Sequence, residues 1–165
     1  MLAAELLAIA AFEDGRYGQA FPIFGGERRG APVQAFVRLA DEPIRLRTYI
    51  REPDYVIVQD LSLLELVDVM QGLKPGGTII ANSDGPKVDH WPDGAKVYTV
   101  PALQIANEVL GKPFLNPAML GAFAAASEEV RLESIQEAFL KHFPGELGEK
   151  NARAVQIAYE RVKGK

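Results

Sequence analysis

Apolar positions in the first dozen residues recur with helical spacing: Leu2, Leu6, Ile9 and Ala10 share one face, and Asp14-Gly15 closes the segment after Glu13 with a turn. No capping residue precedes this helix, so an upstream segment of the natural fold is expected to be absent from the chain. The period then changes. Tyr17 to Phe24 reads as a short strand, and Val33, Ala35, Val37 and Leu39 alternate with Gln34, Phe36 and Arg38 as in a strand with unequal faces. Between them, Gly25-Gly26-Glu27-Arg28-Arg29-Gly30-Ala31-Pro32 is too rich in glycine and charge for either element and is predicted to be a loop.

Tyr55-Val56-Ile57-Val58-Gln59 is a β-branched run ending in Asp60, the pattern of a parallel strand buried on both faces. Ser62 is placed to cap a helix reaching about Met70, with Leu63, Leu66, Val67 and Met70 inward. The turn Lys74-Pro75-Gly76-Gly77 leads to the strand Thr78-Ile79-Ile80-Ala81, which ends in Asn82. Lys96 to Val100 forms the next strand and runs into Pro101 at a helix start. From Asn116 onward the chain reads as helical: Asn116-Pro117 as cap and first position before Ala118 to Ala126, a helix marked by Ile135, Ala138, Phe139 and His142 that stops at Phe143-Pro144-Gly145, and a last one marked by Leu147, Ala154, Val155, Ala158 and Val162. Alternating strands and helices predict an α/β fold, a Rossmann-like, doubly wound and mostly parallel sheet with a helical C-terminal part. At 165 residues the chain is expected to form one domain, residues 1–165, and to lack that domain's first strand.

Composition narrows the chemistry. With no cysteine, the chain can supply no thiolate nucleophile, zinc-cysteine site or cysteine-held iron–sulfur cluster, and two histidines, His90 and His142, make a histidine metal centre improbable. No apolar run is long enough to span a membrane, and Met1 to Phe12 lacks the basic leader of a signal peptide, so a cytoplasmic location is expected. A net charge of −4 gives no general argument for nucleic-acid binding. Its distribution is uneven. Arg16, Arg28, Arg29, Arg38, Arg45, Arg47 and Arg51 face only Glu27, Asp41 and Glu42 within residues 16–51, a local excess of basic charge without a single lysine. Arginine forks suit bidentate recognition of phosphate or carboxylate, which points to a specific anionic partner.

In open parallel sheets ligands sit beyond the carboxyl ends of the strands, where Asp60, Asn82 and, at a helix start, Asn116 are candidates to line a pocket. The alternative is that Asp60 and Asn82 simply cap the turns that follow them. His90, in an excursion with Trp91-Pro92-Asp93-Gly94, lacks a serine and acid in order around it and reads as a loop residue, whereas His142 reads as a half-buried packing residue. Ser83-Asp84-Gly85 keeps only part of the triplet that opens a thiamine diphosphate site and reads as a turn. No dinucleotide fingerprint or phosphate loop occurs. The strongest local signal is the stretch Gly25, Gly26, Glu27, Arg28, Arg29, Gly30, whose arginines either hold a ligand phosphate or pair with carboxylates at a protein interface.

At this loop the sequence resembles the gamma subunit of the 2-oxoacid:ferredoxin oxidoreductases, particularly the pyruvate and 2-oxoisovalerate types. The stretches that carry the resemblance are Phe21-Pro-Ile-Phe-Gly-Gly-Glu-Arg-Arg-Gly-Ala-Pro32, Asp41-Glu-Pro-Ile44, Glu52-Pro-Asp54, Gly72-Leu-Lys-Pro-Gly-Gly77, Asn116-Pro-Ala-Met-Leu-Gly-Ala-Phe123, Phe143-Pro-Gly145 and Lys150-Asn151, in the expected order between Leu2 and Lys163. The resemblance implies a subunit of an enzyme that oxidatively decarboxylates a 2-oxoacid, reduces ferredoxin and forms an acyl-coenzyme A. It also implies partner alpha, beta and ferredoxin-like delta subunits that hold thiamine diphosphate, magnesium and iron–sulfur clusters, and a gamma chain associated with coenzyme A that carries no catalytic residue of its own. Family members usually begin with a strand and a Gly-x-Gly-Gly-Gln-Gly loop before the first helix, which this chain enters directly. The rival expectation is an independent small α/β protein that binds a phosphorylated ligand.

Overall fold

The computed structural model describes residues 1–23, 32–85 and 91–165. The first helix, α1 (Leu2–Glu13), turns Leu6, Leu7, Ala10 and Ala11 inward and leaves Phe12 in solvent. It is followed by an antiparallel hairpin of β1 (Tyr17–Pro22) and β2 (Ala35–Ala40), in which Tyr17 faces Ala40 and Pro22 faces Ala35. The hairpin lies against α1 at Gly18, where a Cβ would stand 2.6 Å from the Ala8 backbone. Only a residue without a side chain permits that approach.

A separate, three-stranded parallel sheet has the order β3 (Tyr55–Val58), β4 (Thr78–Asn82), β5 (Lys96–Val100). The α/β class expected from the sequence is therefore present, with the parallel part limited to three strands and the hairpin forming its own sheet. β4 is central, and Thr78, Ile79, Ile80 and Ala81 are all buried, as an apolar run between two covered faces requires. β3 departs from expectation. Tyr55, Val56 and Ile57 are only half-buried and Val58 alone is buried, because β4 pairs with one edge of the strand and no described strand pairs with the other.

Between β3 and β4 the predicted eight-residue helix is reduced to one turn, α2 (Leu63–Leu66), after which Val67 is extended at φ −145°, ψ 153°. The apolar face read from the sequence is buried only in part: Met70 packs against Val58, Ile79 and Ala81, whereas Leu66 is 68% exposed and Val67 42%. With so little tertiary packing, a short segment does not recover the cost of helix nucleation. The turn before β4 is fixed by glycine. Gly72, at φ +78°, sits so close to the Arg51 carbonyl that a Cβ would lie 1.9 Å from its oxygen, and Gly76 is also left-handed, at φ +75°. The Lys74 amide donates to the Pro53 carbonyl, and its ammonium pairs with Asp54 at 2.8 Å, so the Glu52–Asp54 and Gly72–Gly77 stretches clasp each other at the base of the parallel sheet.

The remaining chain is helical: α3 (Ala102–Leu110), α4 (Asn116–Ser127), α5 (Leu132–His142) and α6 (Glu146–Lys163). Two boundaries shift by a residue from the sequence reading. Pro101 is the N-cap of α3, and Leu115 caps α4, so Asn116 and Pro117 form its first turn. Every residue of α4 from Pro117 to Ala125 is buried. Its small side chains bring the α6 backbone near: at Gly121 a Cβ would lie 2.2 Å from the Val155 carbonyl oxygen. Phe139, Ile135, Leu120 and Met119 complete the core, while Phe143 stacks on Phe139 and meets Phe114 edge-on. His142 is exposed, not half-buried, although its ring still packs edge-on against Phe143 at 4.7 Å.

Candidate functional site

The carboxyl ends of the parallel strands converge on carboxamides. Asn82, the last residue of β4, donates its Nδ2 to the Gln59 carbonyl at 3.1 Å and accepts the Leu103 amide at 3.3 Å on Oδ1. Gln59, one residue past β3, donates its Nε2 to Asn116 Oδ1 at 3.1 Å. Asn82 and Asn116 are thus brought together, through a residue the sequence reading left out. Gln59 follows an apolar strand and precedes Asp60, a polar position just past a strand's carboxyl end that marks it as a candidate in hindsight.

Asp60 stands apart from this cluster. Its carboxylate accepts the Ser62 amide at 2.9 Å and the Ser62 hydroxyl at 2.7 Å, and those two bonds, the hydroxyl's first, hold its pKa below the ordinary carboxylate value. Of the two readings open in the sequence, this geometry is the turn-capping one. Asn82 also caps, since Leu103 lies in the first turn of α3. The neutral amides of this cluster can orient a ligand by hydrogen bonds. Among the described residues no group of three or more histidine, aspartate or glutamate side chains is placed to hold a metal.

The stretch Gly25, Gly26, Glu27, Arg28, Arg29, Gly30 and the residue His90 lie outside the described residues. Other members of the arginine-rich window are described. Arg38 packs over the Phe21 ring at 5.3 Å, donates to the Gln19 side chain at 3.1 Å and reaches the Thr48 carbonyl. Phe21, Phe36 and Tyr49 form a tilted aromatic row with centroids 5.4 and 5.9 Å apart, which holds the segment after β2 over the hairpin. Arg45, Arg47 and Arg51 are exposed and make no ion pair with another described residue. Ser83-Asp84-Gly85 forms a turn after β4, with the Gly85 amide donating to the Ser83 hydroxyl at 3.3 Å.

A second polar cluster joins distant parts of the chain. Arg16 donates to Asp41 at 2.8 Å, to the Glu129 carbonyl at 2.8 Å and to the Glu129 carboxylate at 2.9 Å, while the Tyr55 hydroxyl donates to the other Glu129 oxygen at 3.0 Å. Burial, and then that hydrogen bond beside a carboxylate, push the Tyr55 phenol up to about 12. The cluster lines one part of an open groove of 1030 Å³ between β2 and β3, floored by Leu7 and Phe123. Asp60, Asn82 and Asn116 are not part of that groove.

The sequence model of the pyruvate ferredoxin/flavodoxin oxidoreductase family matches residues 1–161. Pyruvate synthase subunit PorC of Methanothermobacter marburgensis is 51% identical over 161 residues, covering 98% of this chain and 89% of the relative. The pyruvate/ketoisovalerate oxidoreductases common subunit gamma of Pyrococcus furiosus is 52% identical over 164 residues, covering 97% and 89%. Among solved structures, pyruvate oxidoreductase subunit PORC of Thermotoga maritima superposes with a TM-score of 0.81 at 34% identity, covering 96% of this chain and 87% of that one.

Proposed function

The chain belongs to the pyruvate ferredoxin/flavodoxin oxidoreductase family, and from that premise we propose a division of labour within a multisubunit enzyme. The chain is a gamma-type subunit of a 2-oxoacid:ferredoxin oxidoreductase. The assembly oxidatively decarboxylates pyruvate or a related 2-oxoacid, transfers the acyl group to coenzyme A and passes electrons to ferredoxin. In this reading the gamma chain completes the assembly, and the bond-breaking chemistry belongs to the alpha, beta and ferredoxin-like delta subunits, which hold thiamine diphosphate, magnesium and the iron–sulfur clusters. The observation that carries the reading is the family match along residues 1–161 at about half identity to gamma-type relatives. The absence of cysteine supports the same division, since a cluster needs thiolates from another chain.

Arg28 and Arg29, flanked by Gly25, Gly26, Glu27 and Gly30, are assigned to coenzyme A phosphates or to acidic residues of a neighbouring subunit. The amide cluster of Asn82 and Asn116, and Asp60 apart from it, are assigned to the lining of a pocket at the carboxyl ends of the parallel strands. The assembly is placed in the cytoplasm, and no helix of the described residues is long and apolar enough to cross a membrane.

Isolation of the tagged chain from its native source, with mass spectrometry, a visible spectrum and viologen reduction over a panel of 2-oxoacids plus coenzyme A, tests the reading. Co-isolated thiamine-binding and cysteine-rich chains with brown colour and oxoacid-dependent reduction are expected. A colourless monomer that binds a phosphorylated ligand alone would overturn it in favour of an independent binding protein. Replacing Arg28 and Arg29 by alanine separates their two roles: a raised KM for coenzyme A assigns them to phosphate, and loss of a subunit at unchanged KM assigns them to the interface.

A further inference from the structure

The hairpin has two faces of opposite character. On one, Gly18 and Ala20 of β1 lie across from Leu39 and Val37 of β2, and α1 packs on them. Alternation places Tyr17, Gln19 and Phe21 on the other, across from Ala40, Arg38 and Phe36. This outer face is overlain by the segment that follows β2: Tyr49 meets the Phe36 ring at 5.9 Å, and Arg38, above the Phe21 ring, donates to the Thr48 carbonyl. The surface that results is aromatic and basic. Tyr17 is 45% and Tyr49 58% exposed, and Arg47 and Arg51 stand in solvent on either side of Tyr49 in the chain. Arg45 and Leu46 belong instead to the groove between β2 and β3, which Tyr17, Phe21, Arg47, Tyr49 and Arg51 do not line.

No described carboxylate answers these two arginines. Of the three acidic residues within 16–51, Asp41 is taken by Arg16, Glu42 lines the groove, and Glu27 lies outside the described residues. Tyrosine and arginine without lysine, aspartate or glutamate is the composition found at the centre of protein–protein interfaces. A phosphorylated small molecule would satisfy a guanidinium but leave the tyrosines in water, and a net charge of −4 disfavours a polynucleotide. Two copies meeting by this face across a two-fold axis would set arginine against arginine. A different chain that carries carboxylates beside apolar side chains fits both the charge and the aromatic row. Little order is left to lose on binding, because the Thr48 carbonyl and the Tyr49 ring are already held and Gly72 closes on the Arg51 carbonyl.

We propose that the outer face of the hairpin docks an acidic segment of another subunit, whose carboxylates pair with Arg47 and Arg51 while an apolar side chain between them lies on Tyr49, Phe21 and Tyr17. Arginine forks give such contacts a fixed geometry as well as charge, and the tyrosines supply contact area at small entropic cost. The proposal rests on the multisubunit reading above and names one surface by which this chain joins the assembly. It is independent of the roles assigned to Arg28 and Arg29.

The test uses the assembly isolated from the native source through the tagged chain, as parent and as two double variants. Arg47→Lys with Arg51→Lys keeps the charge and adds amines, so a zero-length carbodiimide joins positions 47 and 51 to any carboxylate in contact with them. Mass spectrometry is expected to find those positions linked to aspartate or glutamate of a co-isolated chain. Arg47→Glu with Arg51→Glu should lower recovery of that same chain by about tenfold or more, since like charges then face each other. The urea midpoint of the reversed chain by itself should stay at the parent's, because both side chains are exposed; where it falls, the cross-links of the lysine variant still decide. Cross-links confined to this chain or reaching only a second copy of it would overturn the proposal, as would full recovery of every subunit with the reversed variant. A raised KM for coenzyme A with all subunits retained would also overturn it and make the arginines a phosphate site. A parent chain recovered alone overturns the multisubunit reading and this proposal together, whereas the other failures leave that reading standing.

Discussion

Two halves of this molecule use similar apolar residues to different ends. Around α4, α5 and α6 the chain closes on itself: Met119, Leu120, Ile135 and Phe139 are at most 1% exposed, and glycine at 121 and 148 lets backbones approach where any Cβ would collide. Around the hairpin and β3, all six residues of β2 and three of the four in β3 are half-buried, and Val33, Leu46, Tyr49 and Leu66 stand in solvent. Apolar surface left in this way is the kind that meets a partner or a ligand. The first half is a domain core in the ordinary sense, and the second leaves much of its apolar surface uncovered.

The sharpest way to break this comparison is truncation in both halves. Phe139→Ala is expected to cost about 3–5 kcal/mol, which consumes much of a domain's stability and is read as a lowered urea midpoint. Leu46→Ser, at a residue 64% exposed, is expected to change the isolated chain by no more than about 0.5 kcal/mol, while weakening recovery of partner chains in a pull-down. Equal costs at the two positions would show that the second half is a closed core after all. Gly121→Ala follows in size. Its Cβ would meet the Val155 carbonyl, which forces α4 and α6 apart at a cost of about 3 kcal/mol, and a midpoint unchanged from the parent would mean the two helices are not held in that contact.

The finished half was the more legible in the sequence, for physical reasons. Its helices are bounded by local signals, such as Phe143-Pro144-Gly145, and their apolar residues recur at helical spacing because each helix has something to bury against. Leu63 to Met70 shows the converse. The spacing there is equally helical, yet only Leu63–Leu66 forms a turn, since periodicity records a face and not the presence of a partner for it. Tyr55 to Gln59 was read as doubly buried on composition, but burial depends on neighbouring strands, and β3 has only one among the described residues. At the strand ends Asn82 and Asn116 were legible as polar residues at structural boundaries. Gln59, which joins them, acts on a partner 57 positions away, and Arg16 reaches Glu129 over 113; separations of that size leave no local trace. The glycine-rich stretch with Arg28 and Arg29 remains a reading of the sequence.

The polar contacts between the two halves sharpen the comparison at smaller magnitude. Asp14 accepts the Arg131 amide at 2.8 Å, the Arg131 guanidinium at 2.7 Å and the Ser134 hydroxyl. Burial pushes its carboxyl up, yet the Ser134 and Arg131 donors together hold it below its ordinary value of 3.8. The stabilisation it gives is therefore complete above that value and is lost as pH falls through the lower native one. Asp14→Asn is expected to cost about 2 kcal/mol at neutral pH and to flatten the acid limb of stability measured by urea titration between pH 6 and pH 2. A variant that keeps the parent's acid limb would assign that limb to other carboxylates.

Tyr55 carries the smallest effect and the most specific one, because it stands on the bank of the groove and yet bonds across to Glu129 in the turn after α4. Its phenol is raised to about 12 from an ordinary 10.0, by burial first and by the Glu129 carboxylate next. A group raised in the native state is protonated there while the unfolded chain has already ionised. Its contribution is thus whole below pH 10 and is lost as pH climbs from 10 towards 12. Tyr55→Phe removes the hydroxyl and leaves Glu129 its bond to Arg16, so the expected loss at pH 8 is about 1 kcal/mol, and the difference between variant and parent should shrink above pH 10. The difference in absorbance at 295 nm between parent and variant through the same titration isolates this phenolate from those of the other four tyrosines. Should Tyr55 ionise near pH 10 in the folded chain, the contact with Glu129 is not holding the turn after α4 to β3, and the two halves are joined more loosely than the bond implies.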